Sequence, residues 1–156
     1  MKKLVLYIIA FSMLAGFSCS NRTPFFEKYF KFENGNWDRF NKINFKIPVQ
    51  NENAGINITL VLKPTKEFIY QRMPVYIILD TPSGEERMND LKIQVKEGDK
   101  FEGEVEGQPV IIKTSLWKDL HVSGKGSCTL SIENMVPKIQ TAGISEIGII
   151  AEYSRK

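Results

Sequence analysis

The side chains most able to do chemistry in this sequence are one histidine and one cysteine. His121 is the only histidine among 156 residues, so a Ser-His-Asp or Cys-His arrangement has no other imidazole to use as its base. Cys128 alternates in register with Leu130 and Ile132, which places its thiol on the buried face of a predicted strand. Burial raises the pKa of a thiol, whereas a nucleophile needs a lowered pKa and exposure. We therefore interpret Cys128 as a buried apolar residue and His121 as a surface loop residue.

Three carboxylates follow one another at alternate positions. Glu102, Glu104 and Glu106 would share one face of a strand at intervals of about 6.8 Å. That spacing suits a carboxylate pair acting on a glycosidic bond, or oxygen ligands for Ca²⁺. An acid pair works only if one member is desolvated enough to hold its proton, and no apolar residue interrupts this face. The pattern favours a solvated face that protects a sheet edge.

A short glycine-rich stretch resembles the end of a phosphate-binding loop. Gly124-Lys125-Gly126-Ser127 lacks the leading glycine, and the residues after it alternate as a strand does. No helix N-terminus would face a phosphate there. With one histidine, a zinc site is also disfavoured. We therefore expect no catalytic residue, no metal and no cofactor.

The aromatic residues are the remaining candidates for binding. Most of them fit a sandwich core, and for Tyr76, inside an apolar run, we expect burial. Trp117 differs because it stands in a mixed polar and aromatic stretch, Leu116 to His121, before a glycine turn. Trp117 and, second to it, Trp37 are our candidate contacts for a partner protein, or for a sugar ring in an alternative interpretation.

The first nineteen residues have the layout of a bacterial export signal that ends at a lipid-attachment site. Lys2 and Lys3 form a basic start, and Leu4 to Phe17 is an uncharged run of fourteen residues, too short to span a bilayer. Cys19 follows small residues, as a lipoprotein peptidase requires. We predict a cleaved leader over 1–18, lipidation of Cys19, a tether over 19–24 and one domain over 25–156. An ordinary signal peptide cut near Ala15 and an uncleaved anchor are the alternatives.

Composition limits the classes of partner. The 156 residues less the 18 of the leader leave 138, enough for one core. Without Lys2 and Lys3 the 21 basic residues fall to 19 against 18 acidic ones, so the net charge falls from +3 to +1. No basic stripe follows, so we do not expect a nucleic-acid partner. Of the two cysteines one is used for lipid, which leaves Cys128 without a disulfide partner.

From residue 44 onward the dominant period is two, as in strands with one wet face. It recurs from Ile56 to Lys63, from Leu91 to Val95, from Phe101 to Glu106 and from Ser127 to Glu133. Val75–Leu79 and Ile147–Ala151 are apolar at nearly every position, which predicts central strands covered on both faces. Turn residues separate these runs about every ten positions. The only helical candidates are short, at 25–30 and 135–140. The simplest architecture is an all-β antiparallel β-sandwich, immunoglobulin-like or jelly-roll-like, of about eight strands.

The order of these features, and the end of the chain above all, carries a resemblance to a known family. Gly126-Ser-Cys-Thr-Leu-Ser-Ile-Glu-Asn-Met135 is a glycine-led strand that ends in a polar residue and Met. Gly143-Ile-Ser-Glu-Ile-Gly-Ile149 follows it, and aromatics and Trp37 come soon after Cys19. This pattern resembles GldH, a family of gliding-motility lipoproteins of Bacteroidetes. One departure is Gly98 to Gly103, where Phe101 replaces the usual Trp.

The resemblance implies an accessory lipoprotein of an envelope machine associated with gliding and protein secretion, with no enzyme activity. We expect a membrane contact through the lipid and other envelope proteins as partners; a glycan-binding β-sandwich lipoprotein is the alternative. Ser20-Asn21-Arg22 lacks the acidic residues of a surface-export signal. We therefore expect an outer-membrane anchor with the domain on the periplasmic side.

The leader predicts a simple fractionation result. Cys19→Ala removes the thiol that takes the lipid. The variant therefore loses the membrane-binding free energy of the acyl chains, which is about 0.8 kcal/mol for each CH₂ buried in the bilayer. The variant should therefore leave the membrane pellet of lysed cells, while Cys128→Ala should stay in it. An unchanged membrane fraction for Cys19→Ala would show that the lipid anchor is wrong.

Overall fold

The computed structural model describes residues 23–51 and 54–154, and over these residues the chain is all-β. Its only helical element there is a short 3₁₀ turn, Glu33–Gly35. The predicted leader and Cys19 lie outside the described residues. Within the described ranges, no helix has the length and apolar character needed to cross a membrane.

Two antiparallel sheets of four strands make up most of the fold. The first sheet has the order β1 (Phe26–Lys31), β12 (Ile144–Tyr153), β4 (Ile56–Pro64), β9 (Ile112–Leu120). The second sheet has the order β3 (Ile43–Val49), β10 (Gly126–Asn134), β5 (Arg72–Asp80), β6 (Glu86–Gln94). Two short ribbons complete it: β2 (Asn36–Asp38) with β11 (Gln140–Ala142), and β7 (Lys96–Glu97) with β8 (Lys100–Phe101).

Alternation along the strands creates a common core. In β3, for example, Ile43, Phe45, Ile47 and Val49 are buried while residues between them are exposed or half-buried. Apolar residues of both sheets belong to one buried cluster, so the inner faces pack together. The predicted sandwich is confirmed. The two sheets contain eight strands, as predicted, and the ribbons raise the total to twelve.

Both predicted helical segments have other structures. Phe26–Lys31 is strand β1, paired antiparallel with β12. The i, i+4 spacing of its aromatics is therefore not a helical face, because backbone pairing and packing against the core decide the conformation. Residues 136–139 are bends around Pro137 and lead into β11.

Two expectations about strands also need correction. The acidic strand predicted beyond Phe101 is absent, because β8 ends there and Gly103 turns the chain with φ of +65°. In β5, Tyr76 and Ile78 point away from the core and are only half-buried, so this strand is not covered on both faces. The other strand predicted to be covered on both faces is Ile147–Ala151. There the prediction is confirmed, because every residue except the half-buried Ile150 is buried.

The strand directions give the sandwich two distinct ends. At the entry end, β1 begins beside the loops 81–85 and 121–125 and the end of β12. At the distal end lie segments 32–42, 65–71, 95–111 and 135–143, which connect the strands there. A strand of ten residues separates the two ends by about 30 Å, from a rise of about 3.3 Å per residue.

Gly143 closes the distal end at a point where no side chain fits. Its φ is +85°, and a Cβ there would meet the backbone N of Phe68 at 2.1 Å. Its carbonyl accepts a hydrogen bond from Thr65 N–H (2.8 Å), and its N–H donates to the carbonyl of Gly35 (2.9 Å). The glycine thus lets segments from three parts of the chain touch at backbone distance.

A matched pair of glycines tests this closure. Gly84 has nearly the same φ, +83°, but nothing lies within 4 Å of its would-be Cβ. Gly84→Ala should cost about 1 kcal/mol, from the backbone conformation alone. Gly143→Ala should cost about 3 kcal/mol or more, because the clash adds to that cost. Urea denaturation measures both, and equal losses would contradict the close approach.

Candidate functional site

The sole histidine pairs with a carboxylate at the entry end, but the geometry is not that of a catalytic triad. His121 Nε2 lies 3.5 Å from Asp119 Oδ2, and Ser154 Oγ donates to Asp119 Oδ1 at 2.5 Å. In a triad the imidazole lies between the serine and the carboxylate. Here the carboxylate lies between the other two. The pKa of Asp119 is lowered, and the hydrogen bond from Ser154 is the main cause. Both His121 and Asp119 are largely exposed.

Cys128 lies on the inner face of β10, as predicted, with 2% of its surface exposed. Burial raises the pKa of its thiol to about 11. The thiolate fraction at neutral pH is therefore negligible, and the residue packs as a small apolar side chain.

The three glutamates do not form a carboxylate face. Glu102, Glu104 and Glu106 lie on exposed turns after β8, and Glu104 Oε2 accepts a hydrogen bond from the Phe101 N–H at 3.2 Å. Among the residues that the structure describes, no group of three His, Cys, Asp or Glu side chains could hold a metal ion.

Of the two tryptophans predicted as contacts, Trp37 is wrong because it is fully buried, whereas Trp117 is half-buried and stays a prediction. Trp37 has no exposed surface; its Nε1 donates to the Asn41 carbonyl at 2.9 Å, and its ring centroid lies 5.1 Å from that of Phe32. A fully buried ring cannot stack on a ligand. Trp117 is half-buried and packs against the core from the edge strand β9. Neither residue offers the open platform that the glycan interpretation requires.

Exposed apolar side chains are instead gathered at the distal end. The described residues include eight large apolar side chains that are exposed. Six of them lie in the distal segments, Phe30 lies next to these segments near the end of β1, and Met88 lies elsewhere, on β6. Phe40 is 82% exposed, and Ile69 and Ile139 are each 69% exposed. The seven are Phe30, Phe40, Ile69, Val105, Ile111, Met135 and Ile139. This end is therefore the candidate contact surface of the described residues.

Within this end lies a small apolar groove, which we call the distal groove. It has a volume of about 320 Å³ and is lined by the residues Tyr70, Arg72, Pro74, Lys92, Val136 and Pro137. A second cavity of about 720 Å³, lined by polar residues and glycine, lies beside it and shares Arg72. Apolar groups therefore form the interior of the distal groove and two cations stand at its rim.

A buried asparagine holds the wall of the groove in place. Asn134 is 1% exposed. Its Nδ2 donates to the Trp37 carbonyl (3.3 Å) and to Thr141 Oγ1 (2.9 Å), and its Oδ1 accepts from Val136 N–H (2.9 Å). One side chain thus joins the end of β10 to β2, to β11 and to Val136 in the lining of the groove. These three bonds satisfy the buried amide, which would otherwise be costly to bury.

The local chain direction follows from two prolines. Met135 N–H donates to the Pro74 carbonyl at 3.0 Å, which is where β10 leaves the second sheet. Lys138 N–H then donates to the Val136 carbonyl at 2.8 Å, closing a three-residue turn around Pro137. The turn places Lys138 Nζ 5.8 Å from the centroid of the Tyr70 ring.

Sequence reasoning did not identify the groove. Its residues come from three segments that are far apart in the chain, so no local spacing unites them. The available signal was the pair of prolines, at the start of β5 and just after β10, where a strand must stop or stay unpaired.

A comparison with protein families assigns the chain. The sequence model of the GldH lipoprotein family matches residues 24–150. The chain belongs to the GldH lipoprotein family. This confirms the family resemblance and identifies a lipoprotein of the gliding-motility type. No curated protein matches the sequence.

The fold explains the GldH-like motif at 143–149. Besides Gly143, the segment contains Glu146, whose carboxylate lies 2.6 Å from Lys63 Nζ and 3.5 Å from Lys31 Nζ. The pKa of Glu146 is lowered, and the hydrogen bond from Lys63 is the main cause. Gly148 lies under the Tyr29 ring, which a Cβ would meet at 2.3 Å. These GldH motif residues therefore hold β1, β4 and β12 together.

The asparagine contacts lead to a stability prediction. Asn134→Leu keeps the number and branching of the side-chain heavy atoms but is larger and leaves the Val136 N–H without its partner, so it should lower the free energy of unfolding by about 2–4 kcal/mol. It should also expose Trp37, which red-shifts its fluorescence. Asn36→Ala, on exposed β2, is the control and should stay within about 0.5 kcal/mol. A loss for Asn134→Leu as small as that of the control would refute the clamp.

Proposed function

We propose that this protein is a non-catalytic, lipid-anchored accessory component of the cell envelope that docks another envelope protein at its distal end. The distribution of exposed apolar side chains carries the proposal: seven of eight lie at or beside one end of the sandwich. Membership of the GldH lipoprotein family supports the lipid anchor and the association with a gliding-motility machine.

The entry of the chain supports the orientation. Phe25 N–H donates to the Ala151 carbonyl at 3.1 Å, and the Phe25 ring stacks on Tyr153 with centroids 4.5 Å apart. Only residues 20–24 separate that fixed point from Cys19. Extended, this stretch spans about 20 Å at most. With Cys19 lipidated, the entry end therefore faces the bilayer and the distal end points away from it.

This orientation accounts for where the contact surface lies. If the apolar surface lay next to the lipid headgroups, the membrane would compete with the partner protein for it. At the distal end it stands about 30 Å further out, in the space where a second protein can reach it. We place the protein at the outer membrane with this end in the periplasm, since the residues after Cys19 lack acidic side chains.

Site-specific photocrosslinking in living cells tests the proposal. A photoreactive phenylalanine analogue at Phe40 or Ile139 should yield discrete adducts with protein, because both side chains are exposed at the distal end. The same group at Ser83 or Lys125, exposed at the entry end, is the matched control and should yield few or none. Adducts from the entry end alone, or none at either end, would contradict the proposed docking.

A further inference from the structure

The distal groove has the size of a pocket for one or two side chains. Its volume of about 320 Å³ is at the lower limit of small-ligand sites, about 300–1,000 Å³. Val136, 1% exposed, lies at its base in contact with the core. The half-buried Tyr70 and Pro74 and the exposed Pro137 complete the apolar lining. A short part of a longer chain would fill it.

An apolar strip continues from the groove along the second sheet. Pro74, Tyr76 and Ile78 follow one another on the outer face of β5, all half-buried. Tyr76 donates a hydrogen bond to Met88 Sδ at 2.8 Å, and Met88 is 60% exposed on the neighbouring β6. Asp90 and Glu133 lie opposite Tyr76 on the two neighbouring strands, so the part of this strip without carboxylate neighbours is its groove end, at Pro74.

Three cations surround the groove without an acidic partner among the described residues. Arg72 Nε donates to Gln94 Oε1 at 2.9 Å, and Lys138 stands over Tyr70. Lys92 is exposed and lies opposite Pro74 in the β5–β6 register. Lys31, Lys63 and Lys42, at or beside this end, do form ion pairs, with Glu146 and Glu133. Arg72, Lys92 and Lys138 thus give the rim of the groove positive charge, with Glu97 in the neighbouring cavity as the nearest carboxylate on that side.

We propose that the distal groove binds an extended, acidic segment of the partner protein, in which large apolar side chains alternate with carboxylates. The apolar side chains enter the groove, and the carboxylates meet Arg72, Lys92 and Lys138. This inference rests on the proposed function and names the chemistry of the partner. Opposite charge across the rim would speed encounter and select the partner, while the apolar contacts would supply affinity.

A membrane surface would also combine anionic and apolar groups, but the position of the groove argues against it. The groove lies at the end opposite to the start of β1, about 30 Å from the end that the short tether holds near the bilayer. A protein segment is therefore the occupant that the structure favours.

Peptide binding tests the inference. The lipidated protein is reconstituted in phosphatidylcholine nanodiscs, and the probe is a fluorescein-labelled decapeptide in which Phe and Leu alternate with Glu. We expect it to bind at least about tenfold more tightly than the same peptide with Lys for Glu. It should also bind at least about tenfold more tightly than one with Ser for Phe and Leu. Equal binding of the acidic and basic peptides would overturn the inference.

Charge reversal locates the site. K92E/K138E should weaken binding of the acidic peptide at least about tenfold, whereas K118E/K125E, two exposed lysines near the entry end, should change it less than about twofold. Both double variants should keep the wild-type melting temperature, because all four lysines are exposed. An equal effect of the two double variants would overturn the assignment to the groove.

Two further outcomes separate this inference from its alternatives. Binding to anionic phosphatidylglycerol nanodiscs that K92E/K138E abolishes, with no peptide binding, would assign the groove to a membrane and overturn the inference. Photocrosslinks from Phe40 and Ile139 that persist without any preference for the acidic peptide would overturn the inference and leave the proposed function standing. Loss of those crosslinks would overturn the proposed function itself.

Discussion

The buried amide of Asn134 is the contact on which the distal end of this protein depends. It makes three hydrogen bonds where almost no solvent reaches, to Trp37, Val136 and Thr141. A buried polar side chain of this kind is costly unless every partner is in place. The same contacts that satisfy it therefore fix the β2–β11 ribbon and the segment that forms one wall of the groove. The segments at this end are thereby tied to the strands beneath them.

The sandwich separates anchoring from contact. Chain entry, the His121–Asp119 pair and the contact of Ser154 with Asp119 lie at one end, where the side chains are polar and mostly solvated. Most of the exposed apolar side chains of the described residues, and the groove with its three cations, lie at the other. Because the antiparallel strands run the full length between them, the two ends are rigidly connected by about 30 Å of paired backbone. Under the proposed function, the contact surface would stand at a fixed distance from the lipid anchor.

Much of the fold could be predicted from local pattern, and the contact surface could not. The period of two predicted β4, β6 and β10, and it placed Cys128 inside correctly, because alternate residues of a half-buried strand face the core. It failed at 25–30, where aromatic spacing imitated a helix, and at Tyr76, where an apolar residue faces outward from a central strand. The groove depends on Asn134 meeting Trp37, 97 residues away in sequence. Contacts between residues so far apart produce no periodic pattern in the local sequence. The prediction that Trp37 contacts a partner is wrong for this reason, because the side chain is fully buried.

The central claim is that a partner occupies the distal end while the entry end faces the lipid. Hydrogen–deuterium exchange of the lipidated protein, in isolated outer membranes against phosphatidylcholine nanodiscs, measures this most directly, because it reports backbone protection along the chain. The account predicts slower exchange at 66–74 and 135–141 in the native membranes, with no change at 81–85 or 121–125. Protection confined to the entry-end loops, or identical exchange in both settings, would contradict it.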